Sequence, residues 1–291
     1  GGTYKNDPNL PNAFGNQLTP RKGLKKISYE PQNVNVPSFL PDTPVCRSEI
    51  AQYYESCSRI DQGLGKLVNI LKTAGVYRKT VIIFTSDHGM AFPGGKTTVY
   101  EGGLRVPYVI KHPNLNNKSG VSNAMISHVD ITPSILDIAG AKRLEPLFHG
   151  RSILPAIENT TPKNWNQVFA SHTFHEITMY YPMRVVRTER YKLIWNIAHG
   201  LPYPFASDLW AAPTWQDVYQ KGPNALYGKR TVSDYINRPK FELFDLVNDP
   251  EESRNVATDS RYKEILDQLK LKLKNFQTQT NDPWKLKWKY E

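Results

Sequence analysis

An apolar run, Val81-Ile82-Ile83-Phe84, stops abruptly at Thr85-Ser86-Asp87-His88-Gly89. β-branched and aromatic residues followed by small and charged ones read as a buried strand over Thr80 to Thr85, with a polar turn at its C-terminal tip. In open α/β sheets ligands bind at that edge. Six residues further on, Gly95-Lys96-Thr97-Thr98-Val99-Tyr100-Glu101-Gly102-Gly103-Leu104-Arg105-Val106-Pro107 brings a lysine and a glycine-rich turn back towards it. A carboxylate, an imidazole and a lysine near one strand tip point to a metal beside an anion.

The surrounding pattern fits an α/β sheet. Ile50, Tyr53, Tyr54, Cys57, Ile60, Leu64, Leu67, Ile70 and Leu71 follow helical spacing within a helix from Ser48 to Ala74, with Gly75 as its C-terminal cap. Val106 to Lys111 reads as a second strand. Asp130-Ile131-Thr132-Pro133 opens a short helix ending near Gly140, with Asp130 as the expected cap. Strand, helix and strand in alternation argue for α/β architecture. Residues 1–45, rich in Pro, Asn and Gly, read as a long irregular surface segment.

The pattern changes after about residue 165. Met183 to Arg187 and Tyr191 to Trp195 read as strands of a hairpin turning at Thr188-Glu189-Arg190, and Phe241 to Asp245 as another strand. Asp259 to Gln277 reads as an amphipathic helix with Tyr262, Ile265, Leu266, Leu269, Leu273 and Phe276 on one face. The expected division is therefore residues 1–165, and residues 166–291 as a smaller antiparallel sheet with a helix.

The motif residues resemble those of the sulfatases, a branch of the alkaline-phosphatase-like enzymes. That family carries an Asp followed by Asn or His and Gly at a strand end, then a Lys or Arg, then a Tyr-Glu-Gly-Gly-x-Arg-x-Pro stretch. Within the family the chain is similar to the N-sulfoglucosamine sulfohydrolase (sulfamidase) branch. It matches that branch through Val36 to Pro44, His175-Glu176-Ile177-Thr178-Met179-Tyr180-Tyr181-Pro182-Met183-Arg184, and Thr280-Asn281-Asp282-Pro283-Trp284.

The resemblance implies that Asp87 and His88 are ligands of one divalent cation, calcium, and that Lys96 is the catalytic residue contacting the sulfate. His88 stands where many relatives have Asn. His175, Glu176 and Arg184, flanking an aromatic patch of Tyr180 and Tyr181, read either as a substrate-pocket wall or as a polar rim between domains. Glu101 and Arg105 read as scaffold, a buried pair bracing the glycine turn, and His128 and Asp130 as orienting the following helix. The implied fold is part of an alkaline-phosphatase-like mixed sheet with flanking helices, plus the smaller antiparallel sheet.

Sulfatases draw their nucleophile, a formylglycine, from a Cys/Ser-x-Pro-x-Arg motif. Neither Cys46 nor Cys57 lies in one, and no serine does. The family's early Asp-Asp metal pair is also unmatched. The chain therefore looks like a C-terminal portion of a sulfatase, with formylglycine expected upstream and no turnover expected from these residues alone. The implied function is hydrolysis of sulfate esters or sulfamates on sulfated saccharides, N-sulfoglucosamine favoured. The alternatives are an O-sulfatase of another polysaccharide, a phosphoesterase, or a non-catalytic basic glycan-binding protein.

The net charge of +10 fits either a solubilising surface or attraction to a sulfated polyanion; no nucleic-acid motif accompanies it. No apolar run reaches the roughly 20 residues of a membrane span. Two sequons, Asn117-Lys118-Ser119 and Asn159-Thr160-Thr161, and the resemblance itself, favour an extracytoplasmic setting, whether bacterial periplasm, secretion or lysosome. Helix rise separates Cys46 and Cys57 by ~16 Å, too far for a disulfide.

Overall fold

In the computed structural model, residues 12–17, 21–113, 120–141, 148–159, 162–176 and 179–290 are described. The sequon at Asn117 and residues Ile177 and Thr178 lie outside them. In chain order the elements are α1 (Pro44–Thr73), β1 (Ile82–Thr85), α2 (Glu101–Leu104), β2 (Tyr108–Lys111), α3 (Ile131–Ile138), α4 (Leu154–Glu158), β3 (Gln167–His175), β4 (Met179–Thr188) and β5 (Tyr191–Asn196). Then come α5 (Ser207–Trp210), α6 (Pro213–Tyr219), β6 (Leu226–Tyr227), β7 (Arg230–Thr231), α7 (Val232–Ile236), β8 (Phe241–Asp245) and α8 (Lys263–Gln279). None of the described helices is long and apolar enough to cross a membrane.

The residues gather into two compact units. The first comprises Gly1–Asn114, Phe174–Tyr180 and Leu201–Arg238; the second comprises Leu115–Thr173, Tyr181–Gly200 and Pro239–Glu291.

In the first unit α1 begins four residues before the sequence reading, at Pro44. Thr43 caps it through Oγ1, which accepts the Cys46 N–H at 3.2 Å, and proline suits the first helical position because its missing N–H would be unpaired there. Gly75, at φ +71°, closes it as expected. The helical spacing is correct, but only the first turns are buried: Cys46, Glu49, Ile50 and Ala51. Ile60, Leu67 and Ile70 remain exposed. Periodicity tells which face of a helix is apolar, not what covers it.

β1 pairs only with β2, antiparallel, with Ile82 opposite Lys111 and Thr85 opposite Tyr108. All four β1 residues are half-buried, so the expectation of a buried strand is corrected. An apolar run marks a strand able to be covered on both faces; the described residues cover it only in part. The expected buried brace of Glu101 and Arg105 is likewise absent, because Arg105 is exposed. The guanidinium groups over the Tyr100 ring are those of Arg230 and Arg238, at 3.9 and 5.0 Å.

The core of this unit is aromatic. Buried Trp215 packs against Phe205 and Tyr227, with ring centroids 4.5 and 5.2 Å away, and the Arg238 guanidinium lies 3.4 Å from the centre of the Tyr203 ring. Such pairs add about 0.5–1.5 kcal/mol each beyond simple burial. Glu49 on α1 ties in α6 by accepting the Thr214 N–H at 2.6 Å.

The second unit is organised on the antiparallel order β3-β4-β5-β8. The hairpin and β8 fall where the alternation placed them: Val185 faces Ile194 across β4 and β5, and Leu193 faces Leu243 across β5 and β8. α8 lays Leu266, Leu269 and Leu273 against Val186, Leu193, Trp195 and Leu243. Each buried leucine contributes about 2 kcal/mol by leaving water. Phe169 stacks on Phe276 and Trp195 on Trp288, both at 3.9 Å.

Asp130 does not cap α3 as expected. Its carboxylate receives the Ser127 N–H and the Arg151 N–H, each at 2.9 Å, closing a capping box one turn earlier. It still orients that helix, from its other end of reach. Tyr180 and Tyr181 do not form one patch either. Tyr180 is exposed and Tyr181 fully buried, because consecutive strand residues point to opposite faces.

Candidate functional site

β1 ends at Thr85 and the chain leaves the sheet through Ser86, Asp87 and His88. The turn is locally fixed: Ser86 Oγ donates to the His88 carbonyl at 2.8 Å, and the His88 N–H donates to Asp87 Oδ1 at 3.0 Å. His88 Nδ1 lies 2.7 Å from the Gly89 carbonyl oxygen. A carbonyl only accepts, so the ring proton is assigned to Nδ1, which leaves Nε2 as a bare lone pair in the neutral ring. That Nε2 stands 3.7 Å from Asp87 Oδ2.

This pair fits part of a cation shell. Two donors 3.7 Å apart suit adjacent positions on one ion with bonds of about 2.3–2.6 Å. Asp87 is 84% and His88 43% exposed in their side chains, so both present donors outward. Among the described residues no group of three or more His, Cys, Asp or Glu side chains gathers to hold a metal. Calcium takes about six to eight oxygen-type ligands, so Asp87 and His88 amount to a minority share.

The glycine-rich segment is laced onto this turn through the backbone. Gly89 N donates to Gly103 O at 3.0 Å and Lys96 N to Met90 O at 2.9 Å. The approach is close enough to demand glycine: a Cβ on Gly89 would sit 1.8 Å from Gly102 O, and one on Gly103 2.4 Å from Thr98 O. The two motif segments are thus one folded unit.

Lys96 leaves that unit to meet a residue the sequence did not single out. Its Nζ lies 2.7 Å from Asp208 Oδ2 on α5, with the two side chains 15% and 22% exposed. Asp208 Oδ1 accepts the Leu209 N–H at 3.0 Å. Burial alone would raise this carboxyl, but the Lys96 hydrogen bond and charge outweigh it and hold Asp208 below the usual carboxylate range. The lysine's neighbour is fixed too: Thr97 sits at φ +65°, and its carbonyl accepts the Tyr203 hydroxyl at 2.7 Å.

The preceding residue of α5 takes a second predicted site residue. Ser207 N and Oγ each approach a Glu176 carboxylate oxygen at 3.3 Å, and His175 Nε2 is 3.9 Å from Glu176 Oε1. Glu176 turns the chain at φ +57°. Lys96 and Glu176 therefore converge on the adjacent residues Ser207 and Asp208. Nothing in the sequence marks these two as partners; a serine and an aspartate opening a helix are the ordinary choice there.

Arg184 belongs to the second unit, where it forms a two-pronged ion pair with Asp282: Nε to Oδ2 at 2.5 Å and NH2 to Oδ1 at 3.1 Å. Its NH1 donates to the Met183 carbonyl at 2.9 Å. Both side chains are nearly buried, and the pair outweighs the effect of burial to keep the Asp282 carboxyl low. Two of the motifs quoted above, the one ending in Arg184 and the one containing Asp282, are thus joined physically.

Comparison with known proteins places these motifs in a family. Residues 4–141 match the Sulfatase family model, and residues 88–212 match that of N-sulphoglucosamine sulphohydrolase, C-terminal. The chain is 38% identical over 272 residues to human N-sulphoglucosamine sulphohydrolase, covering 88% of this chain and 53% of that protein. A solved structure described as a complex with its substrate D-glucosamine-2-N,6-O-disulfate superposes with a TM-score of 0.60 at 22% identity, covering 84% of this chain and 44% of the other. The phosphonate monoester hydrolase of Agrobacterium radiobacter shares the fold at a TM-score of 0.56 and 23% identity, over 81% of this chain and 42% of its own. The chain spans about half the length of the curated relatives it matches. The fold is that of the alkaline-phosphatase-like enzymes, and the chain belongs to the sulfatase family.

Proposed function

We propose that the protein containing this chain hydrolyses sulfate esters or sulfamates of sulfated saccharides, with N-sulfated glucosamine of the heparan type as its favoured substrate. The observation that carries the reading is the pairing of His88 Nε2 with Asp87 Oδ2 at a strand tip whose next residue, Gly89, is bonded to the Lys96 segment. The 38% identity to a sulfamide-cleaving relative's namesake supports the choice of substrate.

In this reading Asp87 and His88 hold a divalent cation, calcium, which when bound offsets the negative charge of the sulfate. Lys96 directs its ammonium to the sulfate oxygens and stabilises charge as it develops. His175 and Glu176 form a polar wall towards the sugar. Arg184 acts by fastening Asp282. Formylglycine, from sequence upstream, supplies the nucleophile. Residues 1–165 belong to the catalytic domain and 166–291 to its C-terminal subdomain, a division supported by the start of the four-stranded sheet at Gln167. The setting is extracytoplasmic.

The test is desulfation by the full-length protein across a panel of N- and O-sulfated saccharides. Release of sulfate from N-sulfated glucosamine well ahead of O-sulfated sugars is expected. Equal rates on O-sulfates remove the sulfamidase assignment, and no release from any member removes the hydrolase reading.

A further inference from the structure

We propose that Asp208 sets the charge selectivity of the anion subsite at Lys96, favouring a singly charged sulfuryl group over a doubly charged phosphoryl group. The inference rests on the reading of Lys96 as the sulfate contact.

A lysine ammonium has three N–H donors, and one is committed to Asp208 Oδ2 at 2.7 Å. An anion accepting from another N–H of the same ammonium comes within roughly 4–5 Å of that carboxylate oxygen. The carboxylate cannot easily retreat. Its second oxygen takes the Leu209 N–H at 3.0 Å, and the preceding residue, Ser207, is tied to Glu176. Lys96 and Asp208 together carry no net charge, so every further negative charge on the ligand meets a fixed carboxylate with no additional cation from this pair.

Sulfate monoesters and sulfamates carry one negative charge at neutral pH. A phosphate monoester carries about 1.5–2, because its second pKa is about 6. At partly buried sites the Coulomb term between charges a few ångströms apart is large enough to separate two such ligands by about tenfold. The fold does not make this choice by itself, since a phosphonate monoester hydrolase shares it.

The probes are methyl sulfate and methyl phosphate, titrated at pH 8 and constant ionic strength into the 291-residue chain and followed by ligand-observed NMR. The wild-type chain should bind methyl sulfate more tightly. Asp208→Asn should shift the affinity ratio towards methyl phosphate by about tenfold, while Asp208→Glu, which keeps the charge, should hold the wild-type ratio. An unchanged ratio in Asp208→Asn overturns the proposal. So does a wild-type chain that binds methyl phosphate as tightly as methyl sulfate, a result that needs no variant to fold. Lys96→Met separates the two levels. If it weakens both anions while Asp208→Asn leaves the ratio alone, only the role of Asp208 falls. If it weakens neither, the reading of Lys96 falls and the inference with it.

Discussion

Lys96 Nζ and Asp208 Oδ2, 112 positions apart in sequence, lie 2.7 Å from each other on the first unit. The pair is a stability element as well as a site element. The folded-state carboxyl of Asp208 is held below its ordinary value, so its contribution is fully present above the unfolded value, about 3.9, and is lost as pH falls through the folded value. Wild-type protein should therefore lose stability to urea as the pH drops below about 4, and Asp208→Asn should show a shallower loss over that interval. Urea midpoints measured at several acid pH values check this; parallel slopes for the two proteins contradict it.

Arg184 and Asp282 make the corresponding element in the second unit, and here the expected cost is larger. Arg184→Ala leaves a nearly buried carboxylate without its partner, which typically costs about 3–5 kcal/mol. Arg184→Lys should recover only part of this, since an ammonium cannot match both carboxylate oxygens at once. The Arg184→Ala, Asp282→Ala double variant should be less destabilised than the sum of the singles, because neither charge is then stranded. Chemical denaturation of the four proteins gives the coupling directly.

What the sequence discloses and what it hides divide along physical lines. The hairpin, β8 and α8 were legible because each buries one face against its neighbours, so side-chain period and packing agree. Asp87, His88 and Lys96 were legible as a group because chain continuity forces short-range residues to share a turn. Asp208 was not, because a long-range ion pair leaves no periodic mark. The start of α1 was missed because Thr43 and Pro44 act through a cap, not through apolar spacing. β1 was read as buried because composition reports what a strand can bury, not how much covering the described residues provide. Tyr180 and Tyr181 were read as one patch because adjacency in sequence was allowed to override strand alternation.

Gly89 is the backbone position on which the site motif depends. A methyl group there would meet Gly102 O at 1.8 Å, and backbone atoms on both sides are held by the Gly89–Gly103 hydrogen bond. Gly89→Ala should therefore separate the Asp87–His88 turn from the Lys96 segment and cost about 3 kcal/mol or more. Gly63→Ala on α1 is the control. A Cβ there meets nothing within 4 Å, and alanine should be neutral or stabilising by up to about 1 kcal/mol. Thermal unfolding of both variants beside wild type decides the matter, with similar midpoints for the two variants counting against it.

The two thiols should differ sharply. Cys46 is buried in the first turn of α1, and burial pushes its thiol up to about 12, whereas Cys57 is exposed on the same helix; neither is in a disulfide. The thiolate is the reactive form. A maleimide or aromatic disulfide reagent at pH 8 should modify Cys57 within minutes and spare Cys46 until denaturant is added. Mass spectrometry should record one adduct on the native protein and two after unfolding. Rapid double modification under native conditions would show α1 opening at its capped end.

Calcium should bind this chain only weakly. Asp87 and His88 offer two donors to an ion that takes about six to eight, and even complete extracellular calcium modules bind at about 0.1–1 mM. With a dissociation constant weaker than about 1 mM, adding 1 mM calcium stabilises the fold by at most about 0.4 kcal/mol. For a chain of 291 residues that moves the melting temperature by under about 1 °C. Asp87→Ala should erase even that shift without lowering the melting temperature in the absence of calcium, because its carboxylate is mostly exposed and bonds only within its own turn. A shift of several degrees in the wild-type chain would mean that further donors join Asp87 and His88, and calorimetric titration of Asp87→Ala and His88→Ala would then show whether the ion sits at the strand tip at all.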